Sequence, residues 1–231
     1  MLQFLGTGSA FNTALGNTSA WLRQEGEMVL IDCGGSVFGR LLEKRLLAGV
    51  TRLDICLTHT HGDHVGSLGD LILYSWLMLG VVPTVRHPEP ARIIRLTELL
   101  GVPPEAFVLE GAELFTVGDW LTARFEPQVH ADTMPAFGLE LALGNRRLWY
   151  SGDSRGIPAR ILARFLAGEI TCLYQDTAGQ ERPDGLHLSL VGLTALIPAP
   201  LRSRVVCMHL DESFDPVQAE ALGFGWARTE I

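Results

Sequence analysis

The 231-residue chain lacks the basic patches that mark proteins binding long nucleic acids. It has no run of basic residues, and 18 Lys and Arg against 26 Asp and Glu give a formal net charge of −8. Proteins that bind a DNA duplex or tRNA usually carry a basic surface, so this charge argues against such a partner. A small anionic ligand stays compatible with it, because a bound metal can supply the positive charge.

The chain also lacks paired cysteines, long apolar runs and a leader-like start. Its four cysteines stand far apart in or beside apolar segments, at Cys33, Cys56, Cys172 and Cys207. We interpret them as buried free thiols of a reducing compartment, with disulfides as the less favoured alternative. The opening MLQFLGTGSA has no basic stretch of a signal peptide. The longest apolar run, LILYSWLMLGVV at 71–82, is too short to span a bilayer. We therefore expect a cytoplasmic protein.

No linker, repeat or low-complexity segment interrupts the chain, so we expect a single domain over 1–231. Short apolar strands alternate with amphipathic segments, which predicts a compact α/β (α+β) fold. The stretch 113–151 predicts an antiparallel meander, flanked by strand–helix units. The predicted helices are 36–48, 65–80, 90–100, 157–168, 188–198 and 216–222. The predicted strands lie near 2–6, 19–23, 28–34, 54–59, 114–117, 121–130, 137–143, 147–153, 171–176 and 204–209.

Polar residues repeatedly follow the ends of these apolar strands. The residues in such positions are Asp32, His59, His130, Asp153, Asp176 and His209. Strand ends that meet along one edge of a sheet form a crevice suited to chemistry. We expect these side chains to gather in one place.

The stretch LTHTHGDHVGSL at 57–68 has the densest set of candidate metal ligands. His59 and His61 alternate off a strand end and point the same way, and Gly62 permits a tight turn. Asp63 and His64 then open a helix that begins at Val65. Imidazoles with a carboxylate suit zinc, and manganese or iron less selectively. The alternative is a polar turn with an aspartate capping the helix.

Three further candidate ligands lie at distant strand ends. His130 follows EPQV, Asp153 lies in SGDS, and His209 lies in VVCMHLDE. Each alone is ordinary, since a lone histidine is more often a surface or core residue and SGDS alone could be a turn. In this order after HTHGDH, they predict a site with two metals.

The order H-x-H-x-D-H, His, Asp, His, with LGTGSAF and LIDCG before it, resembles the metallo-β-lactamase superfamily over residues 2 to 212. The resemblance implies a four-layered αβ/βα sandwich with two mixed sheets and two Zn²⁺ ions between them. It implies one metal on His59, His61 and His130, another on Asp63, His64 and His209, and Asp153 bridging both. Asp32 would orient a ligand rather than bind metal.

Two residues outside the predicted metal ligands, Asp176 and His187, bear on the reaction. Two metals that share a hydroxide can attack an ester, lactone, thioester or phosphodiester, so the metals alone do not name the substrate. Asp176 ends a strand and His187 starts a predicted helix, and neither is needed as a ligand. The stretch resembles the phosphodiesterase branch that includes tRNA 3′-processing enzymes, with Gln175 where those have histidine. Near a phosphate, an imidazolium oriented by a carboxylate can stabilise the phosphorane and protonate the leaving oxygen. Asp63, Asp176 and His187 are thus the predicted catalytic residues; a histidine capping a helix is the alternative for His187.

The substrate prediction is a small cyclic phosphodiester, a 3′,5′-cyclic nucleotide above others. The 23 positions from His130 to Asp153 leave no room for the basic arm of tRNA-processing enzymes. The opening LGTGSAFNTALGNTSAWL and the run DHVGSLGDLILYSWLMLG resemble the anti-Pycsar phosphodiesterases, which cleave cyclic-nucleotide defence signals. Alternatives are a tRNA 3′-processing endonuclease, a phosphodiesterase for a five-membered cyclic phosphate, and a lactonase, thioesterase or arylsulfatase-type hydrolase. A metal-binding sensor without catalysis is disfavoured by the full ligand set.

Three further expectations concern side chains around the site and the assembly. Phe137, Asn12 and Asn17 are candidates for stacking on a base or for polar contacts with it. His87, in the proline-rich VRHPEP, is expected at the surface. The helix containing LILYSWLMLG is apolar on more than one face, which predicts a homodimer; full burial within one chain is the alternative.

Overall fold

The structure, a computed structural model, describes residues 1–229 and contains two mixed β-sheets. The first sheet has six strands in chain order. They are β1 (Gln3–Gly6), β2 (Ser19–Gln24), β3 (Glu27–Ile31), β4 (Arg52–Cys56), β5 (Thr84–Arg86) and β6 (Val108–Glu110). β1, β2 and β3 pair antiparallel, and β3 through β6 pair parallel.

The second sheet has seven strands and runs in reverse chain order from β13 to β7. They are β7 (Leu114–Val117), β8 (Leu121–Gln128), β9 (Ala136–Leu143), β10 (Arg146–Tyr150), β11 (Cys172–Asp176), β12 (Val205–Met208) and β13 (Gly225–Trp226). β7 to β10 form the antiparallel meander predicted for 113–151, and β10 to β13 are parallel.

Within residues 1–229, seven α-helices accompany the strands. They are α1 (Val37–Glu43), α2 (Gly62–Val65), α3 (Leu68–Tyr74), α4 (Pro90–Leu99), α5 (Ala159–Leu166), α6 (Leu190–Leu196) and α7 (Pro216–Ala221). A π-helical turn, Ser75–Leu79, extends α3. Every predicted helical segment contains a helix. The segment predicted to begin at Val65 was placed wrongly, because Gly62 already starts a separate turn, α2, before α3.

Alternation along the strands explains how the layers stack. Val29 and Ile31 face the apolar layer between the two sheets, whereas Met28 and Leu30 face the layer under α1, α3 and α4. Leu173 of β11 packs in a third layer with the helices α5 to α7. Because side chains in a strand alternate between its faces, each sheet is covered on both sides. The result is the predicted four-layered αβ/βα sandwich.

The structure bears on two further predictions, the burial of the cysteines and the absence of a membrane-spanning helix. All four cysteines are free thiols; three are buried, but Cys172 is partly exposed, so its predicted burial was wrong. Cys172 is the first residue of β11 and follows Thr171, which is also partly exposed. Over residues 1–229, no helix is long and apolar enough to cross a bilayer.

Candidate metal centre

The predicted ligands converge at one edge of the sandwich, where strands of both sheets end. His59 and His61 follow β4, and the short helix α2 carries Asp63 and His64. The other three ligands follow strands of the second sheet: His130 after β8, Asp153 after β10 and His209 after β12. Two sheets stacked face to face therefore bring residues more than a hundred positions apart into one cluster.

The first group of candidate ligands is His59, His61, His130 and Asp153. His61 Nδ1 lies 2.9 Å from His59 Nε2 and 3.4 Å from His130 Nε2. Asp153 Oδ2 lies 3.7 Å from both Nε2 atoms. Ligands about 2.05 Å from a tetrahedral zinc stand about 3.3 Å from one another. The four atoms therefore have the spacing that one metal ion requires.

The second group is Asp63, His64, Asp153 and His209. Asp63 Oδ2 lies 3.3 Å from His64 Nε2 and 3.3 Å from His209 Nε2. Asp153 contributes its other oxygen, Oδ1, at 3.1 Å from His64 Nε2 and 3.3 Å from His209 Nε2. One carboxylate thus faces both groups, one oxygen to each, which is the geometry of a bridging ligand.

Burial and hydrogen bonding show that this cluster fits divalent cations. Within the described residues, the buried atoms His64 Nε2 and Asp153 Oδ1 have no hydrogen bond. Burial would raise the pKa of the Asp153 carboxyl, but His209 and His64 outweigh burial and hold that pKa well below its usual range. A buried carboxylate such as that of Asp153 needs positive charge beside it. Nitrogen and carboxylate donors in these numbers suit zinc, so the cluster could hold divalent metal ions.

The second nitrogen of most ligand histidines is held by the protein. His64 Nδ1 donates to Asp32 Oδ2 at 2.8 Å, and Asp32 also accepts from the backbone N–H of Thr58. His130 Nδ1 lies 3.2 Å from the carbonyl oxygen of Leu186. Such partners fix the tautomer and the ring orientation of a ligand. Asp32 accordingly lies where the resemblance puts it: it contacts the candidate ligand His64 but is not itself a member of either ligand group.

Two backbone features show how closely the loops approach here. Asp32 and His209 both have positive φ angles, 62° and 58°, which few non-glycine residues adopt. Gly34 lies so close to the next loop that a Cβ atom would stand 1.9 Å from the carbonyl oxygen of Asp63. Only glycine permits this contact, which brings the end of β3 against α2.

Asp176 and His187 form a pair beside the second group. His187 Nδ1 donates to Asp176 Oδ2 at 2.7 Å, and the backbone N–H of Ser154 donates to the same oxygen at 2.8 Å. Asp176 Oδ1 lies 3.5 Å from His209 Nδ1. Burial would lower the pKa of His187, but the Asp176 carboxylate outweighs burial and raises that pKa above its ordinary value.

His187 lies outside the helix α6 that follows it. His187 was expected to start a helix, but α6 begins at Leu190, and its capping side chain is Ser189, which accepts from the N–H of Gly192. Because His187 precedes this cap and its ring bonds Asp176, the helix-cap alternative is wrong.

A cavity of about 540 Å³ opens over the cluster. Besides ligands of both groups, its lining includes His187, Phe11, Asn17 and Arg182. Phe11 and Arg182 were not singled out in the sequence. An aromatic ring among small polar residues in SAFNTA, outside any strand pattern, was the signal for Phe11. Nothing in ERPDG distinguishes Arg182.

Three other side chains lie differently from expectation. Phe137 packs into the layer between the sheets and does not line the cavity, so its proposed role with a base was wrong. Asn12 does not line the cavity, and its side chain donates to the carbonyl oxygen of Leu210. Asn17, in contrast, does line the cavity, and its side chain accepts from the N–H of Ser36. His87 is fully buried, contrary to the surface position expected of it, because β5 leads it beneath the Phe137 ring.

Comparison with known proteins identifies the family. The family model described as anti-Pycsar protein Apyc1 matches residues 1–85. An anti-Pycsar protein Apyc1 of Saccharibacillus brassicae is 30% identical over 90% of this chain and 88% of its own length. The chain belongs to the anti-Pycsar Apyc1 family. Both matches cover the HTHGDH motif that carries four ligands.

Solved structures show how widely this fold is shared. The metallo-β-lactamase fold protein YhfI of Bacillus subtilis superposes with a TM-score of 0.75 over 99% of this chain and 95% of its own, at 15% identity. The short form of human tRNase Z superposes with a TM-score of 0.71 over 99% and 96%, at 22% identity. The anti-Pycsar Apyc1 relationship, the metallo-β-lactamase fold and the ligand cluster together make this chain a metal-dependent hydrolase.

Proposed function

We propose that this enzyme hydrolyses small cyclic phosphodiesters, 3′,5′-cyclic nucleotides in particular, and does so with two zinc ions. The proposal rests above all on His187, whose ring is held by the buried Asp176 and lines the same cavity as members of both ligand groups. A lactone or thioester hydrolase has less need of such a pair, since its reaction forms no phosphorane.

In this proposal the two groups hold two ions. His59, His61 and His130 would hold one, Asp63, His64 and His209 would hold the other, and Asp153 would be shared by both. Ions bound there would lower the pKa of a water molecule and neutralise the phosphate. Asp63 has a second task, because its carboxylate lines the cavity and can accept a hydrogen bond from the attacking water.

His187 acts on the leaving side of the reaction. Its Nδ1 is committed to Asp176, so Nε2 is the atom that can donate to the phosphate. As the water oxygen bonds to phosphorus, the ring P–O bond breaks, and the ribose oxygen leaves with a proton from Nε2. The carboxylate of Asp176 stabilises the imidazolium and keeps the ring in place.

Size and charge favour a small substrate. The cavity of about 540 Å³ lies within the range of small-ligand sites. Among the described residues that line it, Arg182 is the one Lys or Arg, and four lining residues are aspartates, at 63, 153, 184 and 211. The chain from β8 to β9 spans only residues 129–135, too few for an RNA-binding arm. These features, with the anti-Pycsar name of its relatives, favour a cyclic nucleotide over a tRNA precursor.

Chromatographic assays on zinc-loaded protein test the proposal. We expect turnover of 3′,5′-cyclic nucleotides to 5′-nucleotides and none of lactones, thioesters or tRNA precursors. His59→Ala and Asp63→Ala should abolish turnover, the first by loss of a metal ligand and the second by loss of metal and water positioning. Hydrolysis of a lactone or thioester with cyclic nucleotides untouched would overturn the proposal.

A further inference from the structure

Phe11 stands apart from the other phenylalanines of the described residues because its ring is in solvent. Its side chain is 83% exposed, whereas the others are buried or partly buried. The ring lines the same cavity as the ligand groups and His187. Exposing so large an apolar ring at the rim of the cavity is unfavourable unless something packs against it.

The loop that carries Phe11 is tied to the metal-ligand cluster. The N–H of Ser9 donates to the carbonyl oxygen of Leu210 at 3.0 Å, and Asn12 Nδ2 donates to the same oxygen at 3.1 Å. Leu210 directly follows the ligand His209. Since Phe11 lies two residues from Ser9, its backbone is within about 7 Å of that anchor.

The loop also restrains its own conformation. The N–H of Asn12 donates to the carbonyl oxygen of Ser9, and the N–H of Thr13 to that of Phe11. Hydrogen bonds on both sides of Phe11 therefore hold its backbone before any ligand arrives. A ring on a fixed backbone loses little entropy when a flat ligand packs on it.

The remaining aromatic rings of the described lining are imidazoles with other partners. His61, His130 and His209 belong to the ligand groups, and His187 is held by Asp176. Phe11 is thus the ring left to contact the part of a ligand that extends away from the phosphate.

We propose that Phe11 stacks on the nucleobase of a cyclic nucleotide whose phosphate lies at the metal-ligand cluster. This inference rests on the proposed function and adds the group that recognises the base. Because every base has a π-face, one stacking ring favours nucleotides over base-free phosphates without choosing among bases. The larger purines bury more of the ring and should bind more tightly than pyrimidines.

Steady-state kinetics on cyclic nucleotides and on base-free cyclic ribose phosphate test the proposal. We expect Phe11→Ala to raise KM for cyclic nucleotides by about 5- to 150-fold, with kcat and the base-free substrate little changed. Phe11→Leu, which keeps an apolar side chain without a π-face, should behave like Phe11→Ala. Phe11→Tyr should restore KM. Val217→Ala, an exposed apolar residue of α7 that does not line the cavity, is the control.

Calorimetric titration with product 5′-nucleotides gives a readout independent of turnover, and the Kd should rise with KM. Equal KM changes for nucleotides and base-free phosphate, or none for either, would overturn the stacking proposal. A dimeric wild type with a monomeric Phe11→Ala variant would also overturn it, because the ring of Phe11 would then pack against a second copy of the chain. Failure of the wild-type enzyme on every cyclic phosphate would instead refute the proposed function.

Discussion

His187 is the side chain whose removal most directly separates metal binding from acid catalysis. Its ring is hydrogen-bonded to Asp176 and lines the cavity. It belongs to neither the first nor the second group of candidate ligands, the two groups that contain Asp153. We expect His187→Ala to lower kcat on cyclic nucleotides by about 10²- to 10⁴-fold while both metals stay bound. Asp176→Asn should lower kcat less, because the imidazole remains but is poorly oriented.

Leaving-group dependence tells the two roles of His187 apart. A p-nitrophenolate needs little protonation as it leaves, so the loss in His187→Ala should shrink on p-nitrophenyl phosphodiesters. Equal losses on both substrates would indicate charge stabilisation alone. No loss on either would remove His187 from the reaction, and His87→Asn, away from the cavity, is the matched control.

His87 supplies a pH-dependent contribution to stability. Burial lowers its pKa below the ordinary value, so the folded state keeps the ring neutral while the unfolded chain takes up a proton below about pH 6.5. Stability is therefore present above that pH and is lost as pH falls below it. His87→Asn retains an acceptor for the N–H of Glu89, which bonds His87 Nδ1 at 3.0 Å, and removes the titration.

Urea unfolding of metal-loaded wild type and His87→Asn between pH 5 and 8 measures this contribution. The free energy of unfolding of the wild type should fall towards pH 5 by up to about 1.4 kcal/mol per pH unit more than that of the variant. Parallel curves for the two proteins would show that His87 titrates alike in both states.

The ends of β3, β4 and α2 are joined through one carboxylate, that of Asp32. It accepts from Thr58 after β4 and from His64 in α2, and its own backbone has a positive φ. We expect Asp32→Asn to weaken metal binding about 10- to 100-fold, because the ring of His64 loses its orienting charge. Competition with a chromogenic chelator measures this, and a variant with unchanged affinity would contradict it.

The sequence predicts some elements and not others, for physical reasons. Strands with clear alternation, such as β8, strands with a continuous apolar run, such as β3, and helices with an apolar face were predictable. β5, β6 and β13 have three residues or fewer, too few for a period of two to show. The break between α2 and α3 comes from Gly66 and Ser67, which pack against the loop after β3, a contact invisible in sequence order.

The same contrast holds within the site. The clustering of the seven candidate ligands, and the contact of His187 with Asp176, could be predicted because these residue types follow strand ends that meet at one edge. Phe11 was missed because a lone loop phenylalanine has no periodicity. Burial of His87 was missed because proline neighbours suggest a surface loop, whereas tertiary packing under Phe137 decides its position.

At the scale of the whole molecule, an apolar surface remains around the end of α3. Leu77 and Met78 of the π-helical turn are 65% and 70% exposed, and Val82 beyond it is 45% exposed. Leu71 and Ile72, one to two turns earlier, are fully buried, so the segment is apolar on two faces. We propose that this surface forms the interface of a homodimer.

Light scattering at micromolar concentration tests the dimer. The wild type should have the mass of two chains, and the double variant Leu77→Glu, Met78→Glu should have the mass of one, since buried charges oppose association. Val191→Glu, at an exposed position on α6, should remain dimeric. A monomeric wild type would refute the proposal.

We propose that seven side chains from both sheets hold two metal ions and that Asp153 binds both. Crystals of the zinc-reconstituted protein, measured at the zinc absorption edge, test it most directly. We predict two anomalous peaks roughly 3.5–4 Å apart with a carboxylate oxygen of Asp153 at each. A single peak, or two peaks with His130 or His209 turned away from both, would contradict the account.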